Sequence, residues 1–275
     1  MGRILLEGRG LSKSFGGIRA VRRLDIALAE GETLGLIGPN GAGKTTLFNL
    51  LSGEERADEG SIVLGGREIT RRSPEARARL GLVRTFQAGR SFARLSVEDN
   101  LRVGAHVGRI APRSGALCGI VELVQAFAPV GPFRREEEGL GLRAASLAAL
   151  FGDRLAPRMA DPAYSLSYAN RRRLEIARAL ASKPRVLLLD EPTAGMNPSE
   201  TDEMLAFLES LKAGGLSMVV IEHKLPLVMR VSDRVVAMDE GEVIAEGRPD
   251  EVARSSRVIE AYLGPAKARF PGART

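Results

Sequence analysis

The chain has 275 residues, a formal net charge of +6 and one cysteine, Cys118, which excludes an intramolecular disulfide and is consistent with a reducing compartment. It has no apolar stretch of about 18 residues, so we expect neither a membrane span nor an export signal. Basic residues are interleaved with acidic ones and aromatic residues make up only 4% of the chain. That composition argues against a base-stacking surface for nucleic acid.

Short strand-like runs separated by turn residues fill residues 4 to 37, and residues 61 to 64 continue the pattern. Such alternation predicts an antiparallel β layer. A further strand is predicted over residues 82 to 87, where it ends at Gln87.

A helical pattern broken by Gly and Pro follows, from about Ser96, with Asp99 as part of the helix start, to Ala181. We therefore predict a helical insertion at about residues 88–181. Strands are predicted again at residues 186 to 189, 218 to 221 and 235 to 238. An amphipathic helix is predicted at residues 199 to 212, between the first two of these strands. Residues 264–275, rich in Gly, Pro, Ala and Arg, are predicted to form a flexible tail.

Residues 38 to 46 read G-P-N-G-A-G-K-T-T and fit the phosphate-loop pattern G-x-x-x-x-G-K-[ST]. A strand-like run precedes them and a helix-like run follows, which is the context that this pattern requires. Glycines bring backbone N–H groups close to phosphate oxygens, and a helix beginning near Gly43 points its positive end at the same anion. The predicted nucleotide-binding residues are Gly38, Pro39, Asn40, Gly41, Ala42, Gly43, Lys44, Thr45 and Thr46.

Within that loop, Lys44 is expected to reach the β- and γ-phosphates, and the Thr45 hydroxyl to ligate Mg²⁺. A second acidic element supports this interpretation. The run from Arg185 to Leu189 is apolar after its first residue and ends in Asp190 and Glu191. A strand of this kind is buried on both faces of a parallel sheet, and ligands bind at its carboxyl end.

The two carboxylates are expected to have different roles. We predict that Asp190 lies beside Thr45 and holds Mg²⁺ through water, and that Glu191 polarises an attacking water as general base. A strand that merely ends in acidic residues at the surface is the alternative.

Four further features lie at informative positions. Gln87 ends a predicted strand, Ser167 begins a helix whose N-terminus could attract an anion, Asn197 lies in a turn after the acidic pair, and His223 follows another strand. Each also has an ordinary explanation, as a surface glutamine, a helix cap, a loop residue or a structural histidine.

Taken together, these residues resemble the ATP-binding cassette (ABC) ATPases. The order Lys44, Gln87, Leu166-Ser167, Asp190-Glu191, Asn197, His223 matches the phosphate loop, Q-loop, signature, Walker B strand, D-loop and H-loop of that family. The resemblance covers residues 4–263 and implies an α/β P-loop NTPase (RecA-like) core with an antiparallel β subdomain and an inserted helical subdomain. It is nearest to the ATPase subunits of branched-chain amino acid importers, through segments such as R-T-F-Q at 84 to 87 and V-I-E-A-Y-L-G at 258 to 264.

The resemblance implies ATP and Mg²⁺ as cofactors and assigns roles to the residues that match. Catalytic roles fall to Glu191, His223 and Gln87, and metal binding to Thr45, Gln87 and Asp190. Phe15 is implied to stack on adenine. The signature residues, implied to contact ATP held by a second chain, are Ser167, Tyr168, Ala169 and Asn170.

The family also implies partners. Two cassettes, identical or different, pair head to tail around ATP, and the helical insertion binds transmembrane permease subunits with Gln87 at the hinge. A periplasmic or extracellular substrate-binding protein takes part indirectly, and no nucleic acid is expected. The implied location is peripheral, on the cytoplasmic face of the inner membrane.

The signature departs from the family at Ala169 and Asn170, where Gly and Gln are usual. An alanine methyl group is expected to crowd the γ-phosphate unless the helix start directs it elsewhere.

Three rival functions stay open. A P-loop kinase would need an acceptor site and an Arg-bearing lid. A soluble ABC protein acting on nucleic acid usually has two cassettes or a long coiled coil in one chain. A transporter ATPase could also serve another cargo, such as urea or short amides, another amino acid, or a lipopolysaccharide-type export substrate.

Overall fold

The structure of the chain, a computed structural model, describes residues 2–85, 92–107 and 132–263. It divides into two compact units, one formed by Met1–Thr85 with Arg185–Thr275 and the other by Phe86–Pro184. Gln87, Cys118 and the tail at 264–275 lie outside the described residues. The domain bounds expected from the sequence therefore stay a prediction.

A six-stranded sheet forms the centre of the first unit, in the order β10-β9-β3-β8-β7-β6. The neighbours from β9 to β6 are parallel, and β10 is antiparallel to β9. Every residue of β3, β7 and β8 is buried, as continuously apolar strands of a parallel sheet should be. The strands are β3 Thr33–Ile37, β6 Leu82–Arg84, β7 Val186–Asp190, β8 Ser217–Ile221, β9 Arg234–Asp239 and β10 Glu242–Gly247.

The predicted antiparallel layer is present as a second sheet of the same unit, in the order β2-β1-β4-β5. Its strands are β1 Ile4–Phe15, β2 Ile18–Ala29, β4 Glu59–Leu64 and β5 Arg67–Glu68. Gly16 and Gly17 join β1 to β2, and both have positive φ (51° and 88°), the conformation that a tight two-residue hairpin turn requires. Apolar residues of this sheet, such as Leu11 and Val21, share one core with Leu47 and Leu188.

The helices, in chain order, are α1 Lys44–Ser52, α2 Pro74–Arg79, α3 Val97–Val107, α4 Pro132–Ala149, α5 Tyr168–Ala181, α6 Pro198–Ala213, α7 Leu225–Val231, α8 Pro249–Ala253 and α9 Ser256–Leu263. Helices α3, α4 and α5 belong to the second unit, where Ala105, Leu140 and Ala181 form a small core. The Ser96 hydroxyl accepts the N–H of Asp99 (3.0 Å) just before α3, as expected for the predicted helix start.

The strand predicted over residues 82 to 87 is shorter than expected, because β6 ends at Arg84. Thr85 still donates its N–H to the Leu188 carbonyl (2.9 Å). Its side-chain hydroxyl then accepts the N–H of Asp190 (3.4 Å), in place of a further bond of the strand ladder. A hydroxyl that bonds the backbone in this way competes with strand pairing. The pattern of apolar residues in the sequence does not reveal such competition.

Arg77 of α2 is a buried cation, with 1% of its surface exposed. Its guanidinium donates to the carbonyls of Leu50 (2.5 Å) and Leu51 (2.7 Å) in the last turn of α1. It also donates to the carbonyls of Thr70 (2.8 Å) and Arg72 (3.0 Å). Burial lowers the pKa of Arg77 to about 10. A cation at this end of α1 complements the helix dipole.

We expect Arg77→Met to lower the free energy of unfolding by about 3 kcal/mol, because two buried and two partly buried carbonyls lose their charged donor. Urea denaturation followed by circular dichroism measures the change. Arg79→Met, at an exposed position of the same helix, is the matched control and should shift stability by less than about 0.5 kcal/mol. Equal shifts in the two variants would contradict this role of Arg77.

Candidate functional site

The carboxyl ends of three adjacent parallel strands define the site. In the sheet register Leu36 of β3 pairs with Ile221 of β8, and Ile221 pairs with Asp190 of β7. Residues that follow these strands therefore emerge at one edge of the sheet, where ligands bind in folds of this kind. The predicted phosphate loop, Glu191 and His223 all follow one of these three strands.

The loop after β3 has the backbone of a phosphate-binding loop. Gly38, Gly41 and Gly43 have φ of 149°, 84° and 97°, and Gly43 is the N-cap residue of α1. A Cβ atom at Gly38 would overlap the carbonyl oxygen of Met238, and one at Gly43 would overlap that of Ala20. Glycine is therefore required at both positions, and the exposed N-terminus of α1 is left facing the edge of the sheet.

Lys44 lies at the start of α1 with only 7% of its surface exposed. Its Nζ donates to the carbonyl oxygens of Gly38 (2.7 Å) and Pro39 (2.9 Å). The backbone of the loop therefore contacts the side chain of its own lysine. Burial lowers the pKa of Lys44 from its ordinary value, and the carboxylates of Glu191 and Asp190 oppose that shift. The negative charges of both predicted acidic residues therefore act on the lysine.

A cavity of about 280 Å³ lies against the loop. It brings the loop together with residues that are more than 140 positions away in the sequence, and its polar walls suit a charged ligand. The residues that line it are Ala20, Asn40, Gly41, Ala42, Gly43, Lys44, Thr45, Thr46, Glu191, Ile221 and His223.

Glu191 and His223 are in direct contact in this cavity. The Glu191 Oε1 lies 2.8 Å from the His223 Nε2. Glu191 has a φ of 49°, a left-handed conformation that costs a residue with a side chain about 1 kcal/mol or more. Its N–H donates to the Ile221 carbonyl (2.9 Å), which fixes this conformation and directs the side chain away from the line of β7.

Glu222 holds the backbone on both sides of that contact. It is 3% exposed, and its Oε1 accepts both the N–H and the hydroxyl of Thr193 (2.7 Å each). Its Oε2 accepts the N–H of His223 (3.2 Å). The segment that follows Glu191 is therefore tied to the segment that carries His223 by one buried carboxylate.

Asp190 lies one residue earlier and is 1% exposed. Its Oδ2 forms an ion pair with Arg84 (2.9 Å), and the same guanidinium donates to the side chains of Asn49 (2.6 Å) and Ser52 (3.2 Å) on α1. The sequence did not predict this partner for Asp190. Arg84 thus joins β6, β7 and α1 beneath the phosphate loop.

The oxygen donors that the sequence predicted for Mg²⁺ have suitable chemistry. Mg²⁺ prefers hard oxygen ligands and is usually held by one or two protein groups together with substrate phosphates. The Thr45 hydroxyl and the Asp190 carboxylate are such groups. Among the residues that the structure describes, no cluster of three His, Cys, Asp or Glu side chains could hold an ion by itself. Phosphate oxygens and water would complete the coordination shell.

The predicted signature helix is present in the second unit as α5. Ser167 is its N-cap residue and accepts the N–H of Asn170 (3.3 Å). Ala169 lies in the first turn and is 4% exposed. The effect expected of this alanine on a γ-phosphate held by a second subunit stays a prediction.

Within the first unit, five predicted site residues do not line the cavity: Phe15, Gly38, Pro39, Asp190 and Asn197. Phe15 ends β1, is 45% exposed and has the Lys13 Nζ 5.3 Å from its ring centroid. Asn197 is the N-cap residue of α6, and its side chain accepts the N–H of Glu200 (2.9 Å). Gln87 lies outside the described residues.

Sequence reasoning missed Arg84 and Glu222 as parts of the site. A signal existed for Glu222, because an acidic residue directly after four buried apolar residues is expected to need buried donors. For Arg84 the local pattern carried no such signal, since its partner lies 106 residues away.

The fold and the cavity define a P-loop nucleotide-binding protein. The family model of the ABC transporter matches residues 21–194, and that of the branched-chain amino acid ATP-binding cassette transporter matches residues 242–264. The chain therefore belongs to the ABC transporter family, as its sequence motifs predicted, and it is an ATPase of that family.

Similar proteins support the same assignment. The chain is 39% identical to the high-affinity branched-chain amino acid transport ATP-binding protein BraF of Pseudomonas aeruginosa, over 97% of this chain and 100% of that protein. It is 37% identical to the high-affinity branched-chain amino acid transport ATP-binding protein LivG of Escherichia coli, again over 97% of this chain and 100% of that protein. A solved nucleotide-free ATP-binding cassette from an ABC transporter matches with a TM-score of 0.78 and 30% identity, over 95% of this chain and 99% of that chain.

The predicted fold class is confirmed by this match. Within the described part of the chain, no helix has the length and apolar character needed to cross a bilayer.

Proposed function

We propose that the chain powers the import of branched-chain amino acids through separate transmembrane subunits. The observation that carries this cargo assignment is the match of residues 242–264 to the branched-chain amino acid cassette model. Residues 242–263 of this range form β10, α8 and α9, and the whole range lies outside the region matched by the general ABC transporter model. The names of BraF and LivG support the same cargo.

In this proposal the phosphate loop and Lys44 bind the phosphates of ATP. The N–H groups at the start of α1 and the lysine ammonium supply positive charge where the triphosphate is most negative. Glu191 takes a proton from the attacking water, and His223 orients Glu191 and contacts the γ-phosphate. The 2.8 Å contact between the two side chains supports this pairing.

Thr45 and Asp190 would hold Mg²⁺ at the β- and γ-phosphates, with Gln87 as a further ligand. The ion, when bound, neutralises charge that develops on the phosphate oxygens. The near-complete burial of Asp190 and its pairing with Arg84 fix the carboxylate in one place, which favours a single coordination geometry.

A second ATPase subunit, identical or different, would complete each nucleotide site. The N-terminus of α5, with Ser167 as its cap, offers N–H groups and a helix dipole to a γ-phosphate held by the other subunit. ADP lacks that phosphate, so only ATP closes the pair. Closure would act on the permease subunits through the helical insertion, at the cytoplasmic face of the inner membrane, with a substrate-binding protein delivering the cargo on the other side.

Glu191→Gln is expected to bind ATP with Mg²⁺ at the wild-type affinity and to hydrolyse it roughly 10²- to 10⁴-fold more slowly, because the amide cannot accept a proton from water. It should elute as a dimer in gel filtration only with ATP and Mg²⁺. Steady-state phosphate release and the elution volume measure the two effects.

The control for that variant is Glu209→Gln, which removes an exposed carboxylate paired with Arg230 on the surface of the same unit. Its rate of hydrolysis should stay within twofold of wild type. Wild-type turnover in Glu191→Gln would remove Glu191 from the proposed role.

Uptake in a deletion strain tests the cargo. Expression of the chain with its membrane subunits is expected to restore uptake of radiolabelled leucine, isoleucine and valine, and Lys44→Ala is expected to abolish it. Restored uptake of urea or short amides without leucine would replace the cargo assignment while leaving the ATPase intact. Failure of the chain to copurify with any membrane subunit would favour the soluble ABC alternative.

A further inference from the structure

The C-terminal helix contacts the phosphate loop directly. The Tyr262 hydroxyl oxygen accepts a hydrogen bond from the N–H of Gly38, with a distance of 2.8 Å. The two residues are 224 positions apart, and both belong to the first unit. Gly38 is the first glycine of the phosphate loop, so the last described helix reaches the nucleotide site through one side chain.

The packing of α9 explains how Tyr262 reaches the loop. Val258, one helical turn before Tyr262, is 4% exposed and belongs to a core cluster that contains Ile37, Ala237 and Val252. Residues four apart lie on the same face of a helix. Ile37 immediately precedes Gly38. The packing of Val258 in this cluster therefore also places Tyr262 at the start of the phosphate loop.

Gly38 is held through both of its backbone polar groups. Its N–H bonds to Tyr262, and its carbonyl oxygen accepts the Lys44 Nζ (2.7 Å). Gly38 has no side chain to anchor it, since a Cβ atom there would overlap the Met238 carbonyl. A glycine backbone with a φ of 149° has wide conformational freedom. These two hydrogen bonds therefore restrain the two peptide units that flank the Gly38 Cα, one through Tyr262 and the other through Lys44.

We propose that Tyr262 is a positioning residue for ATP, which holds the phosphate loop in its binding conformation and couples the C-terminal segment 242–264 to nucleotide occupancy. This inference rests on the proposed role of residues 38 to 46 as the nucleotide site. Tyr262 does not line the cavity, so it acts through the Gly38 backbone and not on the phosphates themselves.

The hydroxyl suits this role because it stays neutral. Burial raises the pKa of Tyr262 from its ordinary value, and the Gly38 N–H opposes the shift. A neutral phenol accepts the amide proton without placing a negative charge beside a loop that binds phosphate.

Tyr262→Phe tests the proposal, because it keeps the ring and removes only the acceptor oxygen. We expect the Kd for ATP and for ADP, measured by calorimetry on the full chain, to rise roughly two- to tenfold, the effect of losing one neutral hydrogen bond. KM for ATP should rise similarly while kcat changes by less than twofold, since the hydrolytic residues are untouched. Adenosine, which has no phosphates, should bind both proteins equally.

Tyr164→Phe is the matched control, at an exposed tyrosine of the second unit. It should leave nucleotide affinity unchanged. Hydrogen exchange supplies a second measurement. The Gly38 amide should exchange faster in Tyr262→Phe than in the wild type. ATP should slow exchange in α9 of the wild type but less so in the variant, because coupling between two sites is reciprocal.

An unchanged ATP affinity together with unchanged Gly38 exchange in Tyr262→Phe would overturn the inference. So would an equal loss of adenosine and ATP binding, which would indicate general destabilisation. If the wild-type chain itself bound no ATP, the proposed nucleotide site would fail first, and this inference with it.

Discussion

The parallel register of β3, β8 and β7 is the constraint on which the site depends. Because Leu36, Ile221 and Asp190 lie at matching heights in adjacent strands, the chain leaves the sheet three times at the same edge. The loop from Gly38 to Gly43, Glu191 and His223 are therefore neighbours, although the sequence separates them widely. A shift of one residue between β7 and β8 would turn every side chain of the strand to its opposite face.

Backbone conformation, more than side-chain chemistry, shapes this edge. The loop turns at Gly38 and Gly43, which no other residue could replace without overlap with Met238 or Ala20. Glu191 is held in a left-handed conformation by its bond to the Ile221 carbonyl. Strained positions persist where the surrounding structure over-determines them. At this edge the left-handed conformation directs the Glu191 carboxylate towards His223. Asp190, one residue earlier, stays buried beneath the loop. The two adjacent carboxylates therefore lie in different environments.

The elements that could be predicted from the sequence are those that depend on a local pattern of residues. Continuous apolar runs predicted β3, β7 and β8, and the glycines with Lys44 predicted the turn into α1. The contacts that tie the site together are different in kind. Arg84 with Asp190, Glu222 with Thr193, and Tyr262 with Gly38 are hydrogen bonds between distant segments. No periodicity encodes them, because they depend on which strands become neighbours.

We propose that an electropositive loop and its lysine recognise the terminal phosphates of ATP. Calorimetric titration of wild type and Lys44→Met with ATP and with AMP tests it most directly. The wild type should bind ATP at least about tenfold more tightly than AMP, and Lys44→Met should lose that preference, because a hydrogen bond to a charged group contributes roughly 1.5–3 kcal/mol. An unchanged preference for ATP in Lys44→Met would contradict the account.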